Sequence, residues 1–181
     1  MMLTLFTDAS YCSQTNAAGY GAWFKRDDMP AGETFGGEIF SGVSNSSEAE
    51  LYAIAYALDR LGRRGFVQHP VKRVMVQSDS SRALQIVLKL IPNSVESRHA
   101  SSKLAPLTGG KDGIRATTIE RGAAYIAQDV LKHVRTLVRH VKGHQEGGGR
   151  SWVNRQCDGI AYEYMQLARR RLRGEIVEAR K

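Results

Sequence analysis

Four carboxylates and one histidine sit in short motifs spread along the 181-residue chain: Asp8 in LFTDAS, Glu50 in SSEAELYAIAYAL, Asp79 in VQSDSS, His144 in VKGHQ and Asp158 in NRQCDGIA. Carboxylates held side by side raise one another's pKa unless a counter-charge intervenes, and a divalent cation can serve several at once. An all-oxygen set suits a hard ion, Mg²⁺ or Mn²⁺, and Cys12 and Cys157 lack zinc-ligand spacing. Two such ions about 3.5–4 Å apart clamp the attacking and leaving oxygens of an in-line displacement, so the implied chemistry is phosphodiester hydrolysis.

Each residue also has a local explanation. Asp8 follows an apolar run and suits an Asx turn. Ser47 and Glu50 have the spacing of a capping box, and Asp79 before Ser80-Ser81 could cap the next helix. Asp158 near a helix start is favoured by the dipole alone, and a lone loop histidine is usually incidental. Four acids at strand ends and helix starts on one sheet nevertheless ask for a common cause. Glu50, moreover, falls beside Ile54 and Ala57 on the helical wheel, nearer the apolar stripe than Glu48.

The elements that must position these residues follow from periodicity. Residues 3–10, 19–26 and about 34–43 read as three antiparallel strands. From Ser46, Leu51, Ile54, Ala55, Leu58 and Leu61 recur on one helical face, and Gly62 is expected to end that helix. Val74-Met75-Val76 is a buried strand ending at Asp79, followed by a helix from Arg82 to Leu90 that Pro92 closes. Residues 92–113, poor in large apolar groups, read as an exposed insertion. A helix over 118–133, a strand over 134–142, a glycine-rich loop and a helix over 154–173 complete the pattern, with 174–181 as a flexible tail. The expected fold is a single α/β domain over 1–181, a five-stranded mixed sheet flanked by helices.

Lys and Arg number 26 against 18 Asp and Glu, a net charge of +8 and a pI near 9.7. That balance suits a polyanion better than a membrane. The densest positive run is Arg169-Arg170-Arg171-Leu172-Arg173, with Arg60, Arg63, Arg64, Lys72 and Arg73 as a second group. Two cysteines are too few for a disulfide framework, and neither a signal peptide nor a membrane-spanning stretch is evident. The expectation is a cytoplasmic, monomeric protein.

Together the five motifs resemble the cellular-type ribonuclease H family, over nearly the whole chain. Members hydrolyse the RNA strand of RNA/DNA hybrids with two divalent metals, and the glutamate's place on the first helix separates them from integrase-type relatives of the fold. The resemblance implies that Asp8 bridges both metals, that Glu50 and Asp79 complete one site, and that Asp158 helps hold the other. It gives His144 a part in proton transfer or product departure, and makes Asn154 a contact to the hybrid. Gly19-Tyr20-Gly21-Ala22 matches the family's second-strand motif.

The departures concern substrate more than chemistry. DAS replaces DGS, Asn45-Ser46-Ser47 replaces a threonine-asparagine tract, and Ser81 stands where glutamine is common. Asn45 and Ser81 occupy positions that read the hybrid's minor groove and 2′-hydroxyls. The tryptophan-containing basic protrusion of bacterial members is not matched, so Arg169, Arg170 and Arg171 are the expected substitute for phosphate contact. Alternative readings are a sister nuclease with another nucleic-acid substrate, and a catalytically silent nucleic-acid-binding domain.

Overall fold

In strand β1 (Met2–Cys12) and strand β2 (Ala17–Arg26), alternate side chains face opposite sides of one sheet. Ala18, Tyr20, Ala22 and Phe24 of β2 join the main core with Leu3 and Leu5 of β1, whereas Ala17 packs on the other side with Met165 and Ala168. A computed structural model describes residues 1–68, 70–98, 104, 106–107, 114–142 and 149–175, the first three of the last segment in backbone only.

Strand β3 (Glu33–Ile39) completes an antiparallel meander. Helix α1 (Ser46–Arg63) leads to strand β4 (Arg73–Ser78), helix α2 (Ser81–Leu90), strand β5 (Ser94–Glu96), helix α3 (Thr118–Leu131), strand β6 (Arg135–His140) and helix α4 (Gly149–Leu172). Among the described residues the sheet has six strands in the order β3-β2-β1-β4-β6-β5, with β1, β4, β6 and β5 parallel. Helices α1 and α3 pack against each other on the main-core side, and α4 lies on β2, β1 and β3.

The fold differs from the sequence expectation at three places. The sixth strand, β5, lies inside the segment read as an exposed insertion and pairs with β6, and Leu107 from the same segment is buried. Helix α1 runs through Gly62, whose Cβ would stand 3.2 Å from Val130 of α3, so this glycine serves helix packing. The helix is terminated instead by Gly65, just past the Arg64 cap and at φ +77, where the Gly65 amide bonds to the Gly62 carbonyl and the Phe66 amide to the Leu61 carbonyl, a Schellman motif. Helix α4 begins five residues earlier than expected, absorbing Gly149. The rest of the glycine-rich loop, His144 and most of the 174–181 tail lie outside the described residues.

Candidate metal centre

The parallel ladder between β1 and β4 ends at Phe6 and Gln77, while β1 goes on pairing with β2 as far as Cys12. Past Phe6, β1 therefore has one edge without its β4 partner. Asp8 lies on that stretch, Asp79 follows the end of β4, and Glu50 comes from the first turns of α1. One carboxylate oxygen from each of the three lies within 4.8 Å of the others.

Both Asp8 and Glu50 draw on a single donor. The Ala9 amide donates to Asp8 Oδ1 at 2.9 Å and to Glu50 Oε1 at 3.3 Å. The other oxygen, Glu50 Oε2, is buried and has no hydrogen-bond partner among the described residues. Burial first, then the charges of Asp8 and Asp79, push the Glu50 carboxyl well above the usual glutamate range. A buried, partnerless carboxylate oxygen facing two more acids is what a hard divalent cation would satisfy, so the donor set fits one.

The local explanations for two of these acids are removed by the structure. Asn45, not Ser47, caps α1: its Oδ1 accepts from the Glu48 amide at 2.9 Å. Glu48 reaches back to the Ser44 amide at 2.9 Å and the Ser44 hydroxyl at 2.8 Å, doing the work expected of Glu50. Helix α2 is capped by Ser80, whose hydroxyl accepts from the Ala83 amide at 3.3 Å, which relieves Asp79 of that duty.

Asp158 is not in the group of three. Its place is set by glycine. Gly21, the β2 partner of Asp8, would bring a Cβ within 2.0 Å of the Cys157 carbonyl oxygen, and Gly19 and Gly36 would likewise collide with α4. These three positions let α4 settle on the sheet, bringing buried Cys157 close to Asp8 and leaving Asp158, the next residue, exposed. The Cys157 thiol is pushed strongly up by burial and then by the charge of Asp8, which makes it an inert packing group.

Of the expected substrate contacts, Asn45 is committed through its oxygen to the cap, Ser81 opens α2 on the surface, and Asn154 is half-buried on α4. The arginine run is tied to neighbouring side chains while Arg170 and Arg171 stay exposed. Arg169 reaches Gln14 at 3.5 Å, Arg171 pairs with Glu38 at 3.0 Å beside the Phe40 ring, and Arg170 pairs with Glu175 at 2.8 Å. In the second basic group, Arg60 turns inward to the Gly36 carbonyl at 2.8 Å. That group gathers at the C-terminal end of α1 and the start of β4, the end of the sheet away from the acids.

Two supporting features were not read from the sequence. His140, paired with Ser78 across the β4–β6 ladder, places Nε2 2.9 Å from the Asp79 carbonyl oxygen. Only the strand register reveals this. The second is a polar chain joining two buried glutamates: Thr117 donates to Glu48 Oε1 at 3.0 Å and caps α3 with Glu120, and Glu120 is gripped at both oxygens by Arg82, each at 2.9 Å. Burial alone would raise both glutamates, but the Ser44 and Thr117 bonds on Glu48, and Arg82 with the Thr117 amide on Glu120, hold each below the usual glutamate range. A Thr-x-x-Glu spacing over 117–120 was the available signal.

A mixed sheet carrying acids from its first strand, first helix and fourth strand defines a nuclease-type α/β architecture. The chain matches the RNase H family over residues 1–166 and belongs to that family; it is a ribonuclease H. Its fold is similar to an RNase H1 from the halophilic archaeon Halobacterium salinarum (17% identity, 93% of this chain, 100% of that chain, TM-score 0.57). It also resembles the N-terminal RNase H domain of Rv2228c from Mycobacterium tuberculosis (16%, 94% and 97%, TM-score 0.61). A third likeness is to LC11-RNase H1, solved in complex with an RNA/DNA hybrid (20%, 92% and 98%, TM-score 0.59). No curated protein matches the chain. The RNase H family uses divalent metals, and the carboxylate cluster stands where β1, α1 and β4 converge.

Proposed function

We propose that this ribonuclease H hydrolyses the RNA strand of RNA/DNA hybrids with two divalent ions, Mg²⁺ or Mn²⁺, both of which accept the same oxygen ligands, and works as a cytoplasmic monomer whose single domain spans the chain. The observation that carries the reading is Glu50, half-buried, whose buried Oε2 has no hydrogen-bond partner among the described residues and which is set against Asp8 and Asp79. When bound, the cations supply positive charge for the attacking and leaving oxygens of the scissile phosphate. In this reading Asp8, Glu50 and Asp79 hold the ion geometry and Asp158 completes it from α4. The Ala9 amide fixes two of the carboxylates, so their orientation precedes substrate. His144 manages a proton or the departing product, and Asn45, Ser81, Asn154 and the arginines at 169–171 meet the hybrid.

The test is a gel assay with end-labelled RNA/DNA hybrid, double-stranded RNA, single-stranded RNA and duplex DNA, each with Mg²⁺ or EDTA, for wild type and Asp79→Asn. Cleavage confined to the RNA of the hybrid, absent in EDTA and in the variant, is expected. Asp79→Asn should still bind hybrid. Equal cleavage of a hybrid whose scissile residues lack the 2′-hydroxyl would refute the substrate assignment and leave a sister nuclease.

A further inference from the structure

Helix α4 buries Cys157, Ala161, Met165 and Ala168 against the sheet, and among the described residues no element packs on its opposite face. Stepping by three or four residues, that face presents Trp152, Arg155, Gly159, Tyr162, Gln166 and Arg170. At helical spacing these lie within an arc of about 80° and extend for about 27 Å. Trp152 is 49% exposed and Tyr162 54% exposed. The nearest acid on the groove side, Glu163, lines the shallow depression between α4 and β3. Among the described residues, the Arg170 guanidinium pairs with the surface carboxylate of Glu175, a weak tie.

Gly159 sharpens the picture. A glycine inside a helix weakens it, and Gly62 in α1 and Gly122 in α3 each justify the loss by a close approach, a Cβ there standing 3.2 Å from Val130 and 3.1 Å from the Tyr52 hydroxyl. A Cβ on Gly159 would meet nothing within 4 Å among the described residues, so their packing supplies no reason for it. Close approach of a ligand would supply one.

Exposed rings alternating with cations suit a nucleic-acid strand, whose bases stack and whose phosphates pair. A second helix would find Arg155, Gly159, Gln166 and Arg170 poor seam residues. The bases of a duplex are already stacked on one another, so the rings favour an unpaired strand. Asp158 lies one turn from both Arg155 and Tyr162, so the face is continuous with the acid that the proposed function adds to the metal centre. We propose that the outer face of α4 binds single-stranded nucleic acid continuing from the hybrid past Asp158. This rests on the hybrid-cleaving reading for its orientation.

The experiment measures anisotropy of labelled RNA/DNA hybrids in EDTA, blunt or carrying a single-stranded DNA tail of about ten nucleotides, a length on the order of known single-strand site sizes. Wild type should bind the tailed hybrid at least about tenfold more tightly than the blunt one. Trp152→Ala/Tyr162→Ala should lose that preference yet cleave blunt hybrid, in Mg²⁺, at the wild-type rate. Gly159→Gln should raise Tm while weakening tail binding, a combination that a purely structural glycine would not give. Tail emission quenching should disappear in Trp152→Ala, which leaves Trp23 as the remaining indole. Equal wild-type affinity for tailed and blunt hybrid overturns the inference, as does a preference that survives the double variant. Capture of this face by anionic phospholipid vesicles, with no tail preference, would make it a membrane surface and also overturn it. Failure of the wild type to cleave any hybrid defeats the proposed function instead, and tail binding lost in the double variant would still support the α4 site.

Discussion

Glu50 carries the electrostatic tension of the site. Its carboxyl is raised by burial and by two neighbouring acids, so the metal-free fold holds charge that it would rather neutralise. Glu50→Gln should raise Tm in EDTA by about 2–4 °C, remove the Tm increase that Mg²⁺ gives wild type, and abolish cleavage, all checked by calorimetry beside the gel assay. Gly21→Ala should act oppositely: its Cβ meets the Cys157 carbonyl, so α4 must lift, costing about 3 kcal/mol and moving Asp158 away from Asp8. Denaturant melts and cleavage rates would show both losses. The acids were legible because their motifs are local. Which residues cap the helices beside them was not, because Ser47–Glu50 and Asn45–Glu48 both have the spacing of a capping box, and only the backbone of Ser44 decides between them.

At the scale of elements, α1, α2 and α3 are fastened by the chain from Glu48 through Thr117 and Glu120 to Arg82. Glu120 is only 3% exposed, so Arg82→Ala leaves a buried carboxylate without its main partner. Because Arg82 is itself partly in solvent, a discounted loss of about 2 kcal/mol is expected, read as a lower denaturant midpoint. Since Thr117 also holds Glu48 two residues before Glu50, Thr117→Val should lower affinity for Mg²⁺ more than its modest stability cost predicts; isothermal titration would separate the two. Most elements were readable from apolar periodicity. Strand β5 was not, because three residues with Val95 as their sole apolar member carry no period. The end of α1 was misplaced because a packing glycine and a terminating glycine look alike in sequence, and only φ and the contact with Val130 tell Gly62 from Gly65.

At the scale of the whole molecule, the net charge of +8 governs encounter with substrate. Hybrid affinity should fall steeply with salt, and the slope of log K against log salt, at roughly 0.7–0.9 per phosphate contact, counts those contacts. Acid stability has a definite sign. Glu48 and Glu120 bind protons less readily folded than unfolded, so their contribution is complete above the ordinary glutamate pKa and drains as the pH falls through their lowered values. Glu120→Gln should therefore lower stability at neutral pH and flatten its decline in acid, as urea melts across pH would show. The overall α/β layout was legible from element order; the sheet order was not, since it rests on pairings distant in sequence. One of those pairings, the early end of the β1–β4 ladder, turns the Ala9 amide from a structural bond to a carboxylate bond. A single backbone proton thus sits between Asp8 and Glu50, and its NMR frequency and exchange lifetime should follow every change of charge in the site, giving the protein a built-in reporter that needs no label.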